Sequence, residues 1–180
     1  MSFERKLKLP RLPREWDQGR AAVFWTHTIE DRKTGWLDER FPARFREVVL
    51  PPCARYALAC PAYVVRPDHW HVVWLGLAET SDQHTATRFL REHLGNQLGA
   101  ARWQDRAHDS VLREEQRRRG AFGDACAYVR ENPVRAGLCV TRREWPFAGA
   151  RVAGYPDLEP RDPASGELFW RIYAKLVEPA

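Results

Sequence analysis

Cysteine is scarce in this chain and follows no pattern. The four residues Cys53, Cys60, Cys126 and Cys139 form neither a Cys-x-x-Cys pair nor a zinc-finger spacing, so they read as free thiols in a reducing compartment. Long apolar runs are also missing. No segment approaches the ~18 consecutive apolar residues of a membrane-spanning helix. The opening stretch, MSFERKLKLPRLPREWDQGR, is charged throughout and lacks the apolar centre of a signal peptide. The expected location is therefore the cytoplasm, with DNA in reach. No internal repeat is apparent. Lysine is rare too, because nearly all of the 29 basic residues are arginine, set against 24 acidic ones for a net charge of +5. Arginine makes bidentate contacts to phosphate, which admits a polyanionic partner, although GC-rich coding sequence alone also favours arginine. What is present is ordinary for a soluble domain: 180 residues, 44% of them hydrophobic, with an unusual eight tryptophans and thirteen prolines. That is enough for one core and too little for two large domains.

Residues 1–20 read as a basic N-terminal arm broken by prolines. Residues 21–29, AAVFWTHTI, form a strand candidate in which Val23, Trp25 and His27 share one face while Phe24 and Thr26 share the other. A short helix is predicted over 38–50, with Phe41, Phe45 and Val48 or Val49 at helical spacing, stopped by Pro51 and Pro52. Residues 57–65 make a second strand, where Pro61 favours an edge position or a bulge. After a turn at Arg66, Pro67 and Asp68, residues 69–75 make a third. Residues 82–98 are the clearest helix, and a fourth strand falls around 107–112. A further helix runs from about 116 or 121 to 130, ended by Asn132 and Pro133. From 141 the chain is rich in turns and reads as a surface wrap, with 169–177 able to form a docked helix or strand. Strand, helix, strand, strand, helix, strand is the content of a ferredoxin-like split βαβ layer, with helices on one face of the sheet and the other face open. The expected class is α+β: a ferredoxin-like split βαβ sandwich with an added C-terminal catalytic helix and an irregular terminal extension over 151–180.

The chemistry concentrates in two strings. In PDHWHVVWL the period of two sets His69 and His71 on one face and Trp70 on the other. Adjacent imidazoles can bind a divalent cation and leave it open to oxygen ligands. Asp68 could orient an imidazole or merely cap the turn. In YVRENPVRAG, Asn132 lies four residues after Tyr128, on the same helical face. A phenol is a poor nucleophile at its usual pKa of about 10 and needs help from a cation. If Asn132 is a third ligand, the metal sits between strand and helix. Arg130, Arg135, Arg142 and Arg143 surround this segment and could hold phosphates without reading bases. Each feature has a blander reading by itself: core histidines, a packed tyrosine, a helix-ending asparagine, a solvated charged face. His27 could face the site. His84, His93 and His108 have no geometry that singles them out, and nothing pairs Asp109, Glu114 or Glu115 with a metal.

Taken together, VVRPDHWHVVWL and YVRENPVRAGL resemble the single-tyrosine HUH (histidine-hydrophobe-histidine) transposases of the insertion-sequence type, most of all the REP-associated tyrosine transposase branch. RAHDSVLRE and EWPFAG add to the likeness, which spans roughly residues 21–150. The resemblance implies a ferredoxin-like catalytic domain over 21–150 that cleaves and rejoins single-stranded DNA with hairpins or inverted repeats. It implies Mg2+ or Mn2+ as cofactor, His69 and His71 as metal ligands, Tyr128 as nucleophile and Asn132 as the metal-facing polar residue. Trp70 stands where smaller aliphatics are usual, and Arg66 where methionine is common. The implied reaction is transesterification through a 5′-phosphotyrosine link. Two other readings stay open: a catalytically inactive or domesticated hairpin-DNA-binding protein, and a metal phosphodiesterase acting through water. Monomer and homodimer are both compatible with the sequence.

Overall fold

A computed structural model describes residues 17–105, 107–112, 120–155 and 164–177. Five strands alternate with helices in the order β1 (Ala22–Thr28), α1 (Phe41–Arg55), β2 (Leu58–Val65), β3 (His69–Gly76), α2 (Gln83–Gly95), β4 (His108–Leu112), α3 (Ala121–Arg135), β5 (Ala148–Val152) and α4 (Ser165–Val177). The strands form one sheet in the order β4-β1-β3-β2-β5, and every neighbouring pair is antiparallel. The chain is thus a mixed α+β fold whose first six elements follow a ferredoxin-like βαβ-type topology, with β5 added beside β2.

Alternation along the two central strands sorts side chains into two buried layers. One face of the sheet carries Val23, Trp25, Trp70, Val72 and Trp74, packed against Phe41, Phe45 and Val49 of α1 and Ala86, Leu90 and Leu94 of α2. The other carries Ala22, Val64, Val73 and Leu75, covered by Phe122, Cys126 and Val129 of α3 and Phe169 and Ile172 of α4. The sheet is therefore packed on both faces, not left open on one as the pattern suggests. The reason is that α3 and α4 each present an apolar stripe that needs a partner. The histidine pair lies on this second face, at the flank of α3.

Three boundaries differ from the sequence reading. Helix α1 runs through Pro51 and Pro52 to Arg55. Phe41, Phe45, Val49 and Cys53, all buried at intervals of four, hold it to the sheet, and the carbonyl of Pro52 still accepts from the Tyr56 N–H at 3.0 Å. Helix α3 likewise continues through Pro133 to Arg135, so Asn132 stays in helical phase with Tyr128. In β2, the bulge expected at Pro61 is present as a register shift between Ala59 and Ala62 against β3, and the strand is interior, between β3 and β5. The division at 150/151 falls inside β5, and the extension beyond it contains the helix α4. The irregular ending thus gains part of a strand, and the docked helix allowed at 169–177 is present within α4. Of the proposed basic arm, residues 1–16 lie outside the described residues, while Gln18 bridges to Asp82 and the Gly19 N–H reaches the Ser81 carbonyl at 2.9 Å.

Candidate active site

The histidine pair is held from behind and from both sides. On β3, Trp70 and Trp74 are fully buried on the opposite face, which fixes the strand's roll and turns His69 and His71 toward α3. Their ring centroids are 4.8 Å apart. The turn that leads into them is pinned three times: the Arg66 N–H donates to the His69 carbonyl at 2.7 Å, the Ile29 N–H to the Asp68 carbonyl at 2.9 Å, and the Trp36 indole to the Pro67 carbonyl at 2.6 Å. Neither imidazole is free to rotate. His71 Nδ1 meets Thr26 Oγ1 at 2.9 Å across the β1/β3 pairing, where Thr26 is its direct partner. His69 Nδ1 lies 2.7 Å from Asp68 Oδ1. An ionised carboxylate only accepts, so His69 carries its proton on Nδ1 and keeps the Nε2 lone pair.

Asp68 is itself held. Its second oxygen takes Arg32 Nη1 at 2.9 Å, and Arg32 is delivered by the one-turn 3-10 helix Glu30–Arg32, where Asp31 and Arg32 both adopt φ 54. Burial works against the Asp68 carboxylate, but His69 and Arg32 together keep it below the ordinary carboxylate range. Burial lowers the pKa of both imidazoles. That of His71 is pushed down to about 3, with His69 and Arg66 adding to the effect, while Asp68 partly offsets the shift at His69. Both rings are neutral at physiological pH, the form that donates to a metal.

From the other side, α3 brings in the phenol. Phe122, Cys126, Val129 and Pro133 are the buried stripe of this helix, and Tyr128 and Asn132 lie on its flank one turn apart. The Tyr128 ring is 5.8 Å from the His71 ring and 5.9 Å from Phe24, which itself lies 5.1 Å from His71. Tyr128 is 40% exposed, whereas Asn132 is 5% exposed. Asn132 Oδ1 accepts from Arg66 Nη1 at 3.4 Å. His71 and Tyr128 therefore face each other across the cleft between β3 and α3, with His69 beside His71 and Asn132 joined to Arg66 one helical turn from the tyrosine.

The four arginines assigned to phosphate differ in placement. Arg135 lies over the Tyr128 ring, 5.2 Å from its centroid. Arg142 is paired with Glu131 at 3.3 Å. Arg130 is half-buried, its Nε enclosed with no hydrogen-bond partner among the described residues, and Arg143 is exposed on the 3-10 turn Arg142–Glu144. His27 is not at the cleft. It is fully buried on the opposite face, 4.6 Å from Trp70 between ring centroids, where burial holds it well below its ordinary value. Phe24, Thr26, Arg32 and Arg66 are contributors that the sequence reading did not place in the site. The alternation of β1 already paired Phe24 with Thr26, but only the strand register sets them against His71.

The donor set decides whether a metal fits. Among the described residues no group of three or more histidine, cysteine, aspartate or glutamate side chains is placed to hold a metal ion. A cation here would rest on two neutral imidazoles and an amide oxygen, without a carboxylate. The locked Nδ1 contacts leave each Nε2 as the ligand atom, and a neutral set keeps the cation's full charge available to an anionic substrate. Two imidazole nitrogens and an amide oxygen are donors that suit a divalent cation, with its remaining positions left to other oxygen ligands. Among the described residues no helix is long and apolar enough to cross a membrane.

No family model matches the chain. It is 21% identical over 155 residues, 77% of its own length and 85% of the relative's, to a Haemophilus influenzae protein named as a REP-associated tyrosine transposase. Its fold superimposes with a TM-score of 0.60, at 21% identity and 82% coverage of both chains, on a solved structure of a REP-associated tyrosine transposase bound to a REP hairpin. The likeness establishes a shared fold.

Proposed function

We propose that the chain is a single-tyrosine HUH transposase of the REP-associated kind, which cuts and rejoins single-stranded, hairpin-forming DNA through a 5′-phosphotyrosine intermediate. The observation that carries this reading is the ring chain from His69 to His71 at 4.8 Å and from His71 to Tyr128 at 5.8 Å, with Asn132 one helical turn from the tyrosine. The fold shared with a transposase bound to a hairpin supports the class of substrate.

His69, His71 and Asn132 would hold the divalent ion, Mg2+ or Mn2+, which supplies Lewis-acid polarisation of the scissile phosphate. Thr26 and Asp68 fix the imidazole rings, and Phe24 and Arg135 bracket the tyrosine ring so that its hydroxyl samples few orientations. In the reaction the bond from phosphorus to Tyr128 Oη forms as the bond to the 3′ oxygen breaks. The phenol loses its proton and the departing 3′ oxygen gains one. Rejoining is the same exchange in reverse, driven by a 3′-hydroxyl, and the covalent link conserves the bond energy. The open side of the Tyr128 ring suits a flexible single strand better than an intact duplex.

The test is incubation of the protein with hairpin-containing single strands and manganese, followed by a denaturing gel. A covalent protein–DNA adduct is expected from the wild type and none from Tyr128→Phe, which should keep most of its DNA affinity. Adduct formation by Tyr128→Phe would overturn the nucleophile. Cleavage without any adduct would favour a water-using phosphodiesterase, and binding without cleavage an inactive hairpin-binding protein.

A further inference from the structure

Arg66 carries a positive charge into the cleft with no counter-ion among the described residues. It ends β2, and the segment that holds it is tied down: the Val65 N–H donates to the Phe147 carbonyl at 2.8 Å, and the Trp145 indole donates to the Val65 carbonyl at 3.0 Å. The Arg66 side chain is half-buried, its Nε is enclosed with no acceptor, and its Nη1 has one long contact, 3.4 Å, to the neutral amide of Asn132. Among the described residues no carboxylate lies within ion-pairing distance of it. The nearby Asp68 is already paired with Arg32 and accepts from the His69 ring. A guanidinium so placed is short of both hydrogen-bond acceptors and negative charge, and a phosphodiester supplies both through geometry that arginine matches two-pronged.

We propose that Arg66 is a phosphate-binding residue of this cleft, holding the DNA phosphate beside Tyr128, and that it does so without a divalent cation. The idea rests on the DNA-cleaving reading for its choice of anion, but its failure is separable from that of the tyrosine chemistry. A long 3.4 Å contact to Asn132 is readily exchanged for a charge-assisted one to phosphate, and that exchange frees the asparagine oxygen for the metal. Arg66 thus both receives the strand and releases a ligand.

The experiment uses the Tyr128→Phe protein in EDTA, so that neither cleavage nor metal contributes, and follows binding of a hairpin-containing single strand by fluorescence anisotropy across a salt series. Arg66→Met should bind about tenfold more weakly at ~0.1 M salt. It should also lower the slope of log affinity against log salt by about 0.7, the value of one lost phosphate contact on a single strand. Arg66→Gln, which keeps a polar group against Asn132, should behave the same and serves if the methionine variant folds poorly. Arg66→Lys should retain the wild-type slope. In calorimetry with manganese alone, Arg66→Met should bind the ion several-fold more tightly, because a like charge has gone and Asn132 is released. An unchanged salt slope in both neutral variants overturns the proposal even if wild-type protein forms adducts. A lowered slope with no wild-type adduct on any hairpin sustains it and removes only the tyrosine chemistry.

Discussion

Without metal, the folded protein should lose stability between pH 8 and pH 5, with about 2 kcal/mol of the loss coming from His71. His27 acts in the same direction. Burial pushes the first down to about 3 and the second well below its ordinary value. Unfolded, both titrate near pH ~6.5. Below that value the unfolded chain takes up protons that the folded chain refuses. The stabilisation is therefore complete above pH ~6.5 and is lost as the solution is acidified toward the folded-state values. At pH 5 proton uptake at His71 stabilises the unfolded chain by about 2 kcal/mol, and His27 and His69, also lowered, add to the loss. The assay is urea unfolding in EDTA at the two pH values, read by tryptophan fluorescence. With a slope of ~2 kcal/mol per molar urea, the His71 contribution alone should lower the midpoint by about 1 M. His71→Gln should remove that part, His27→Phe should reduce the drop further, and the double variant should keep only the share due to His69. A double variant that loses as much stability as the wild type would refute the argument, because the proton uptake would then lie elsewhere.

Two further outcomes follow from the geometry. Asp68→Ala removes the acceptor that fixes the His69 tautomer, and manganese affinity measured by calorimetry should fall 10- to 100-fold, roughly the effect of losing such a partner behind a metal-binding histidine; unchanged affinity would mean that His69 needs no orienting group. Gly76→Ala would place a Cβ 1.8 Å from the backbone carbonyl oxygen of Gly19. Neither is a flexible side chain, so the variant should lose about 3 kcal/mol in urea unfolding, and a loss below ~0.5 kcal/mol would show that the strand end yields easily.

The parts of the site that the sequence exposes are those set by local periodicity. The period of two in HWHVVW places both imidazoles on one face and the indoles on the other, as in β3. The interval of four between Tyr128 and Asn132 needs only a helix. Long-range pairing was not legible. Thr26 reaches His71 only through the β1/β3 register, and Arg66 meets Asn132 across 66 residues of chain. Proline misled twice, because Pro51, Pro52 and Pro133 are breakers by local rule, whereas α1 and α3 are held by buried stripes that outweigh the lost donors. Strand β5 was missed because AGARV carries little β-branched character and forms by pairing with the edge that β2 offers. His27 was ambiguous for a related reason: alternation assigns it to a face, and only the packed tryptophans reveal that this face is the dry one.

The indole between the two imidazoles of β3 has a consequence for how this stretch tolerates change in length. Deleting one residue just upstream would exchange the occupants of the two sides, sending heterocycles that prefer water or metal into a greasy interior and leaving bulky apolar rings in the cleft. Substitutions nearby can be absorbed one at a time, but a single-codon deletion abolishes the site and the core together. In a library of such deletions, survivors should be depleted across this strand and reappear in the turns on either side.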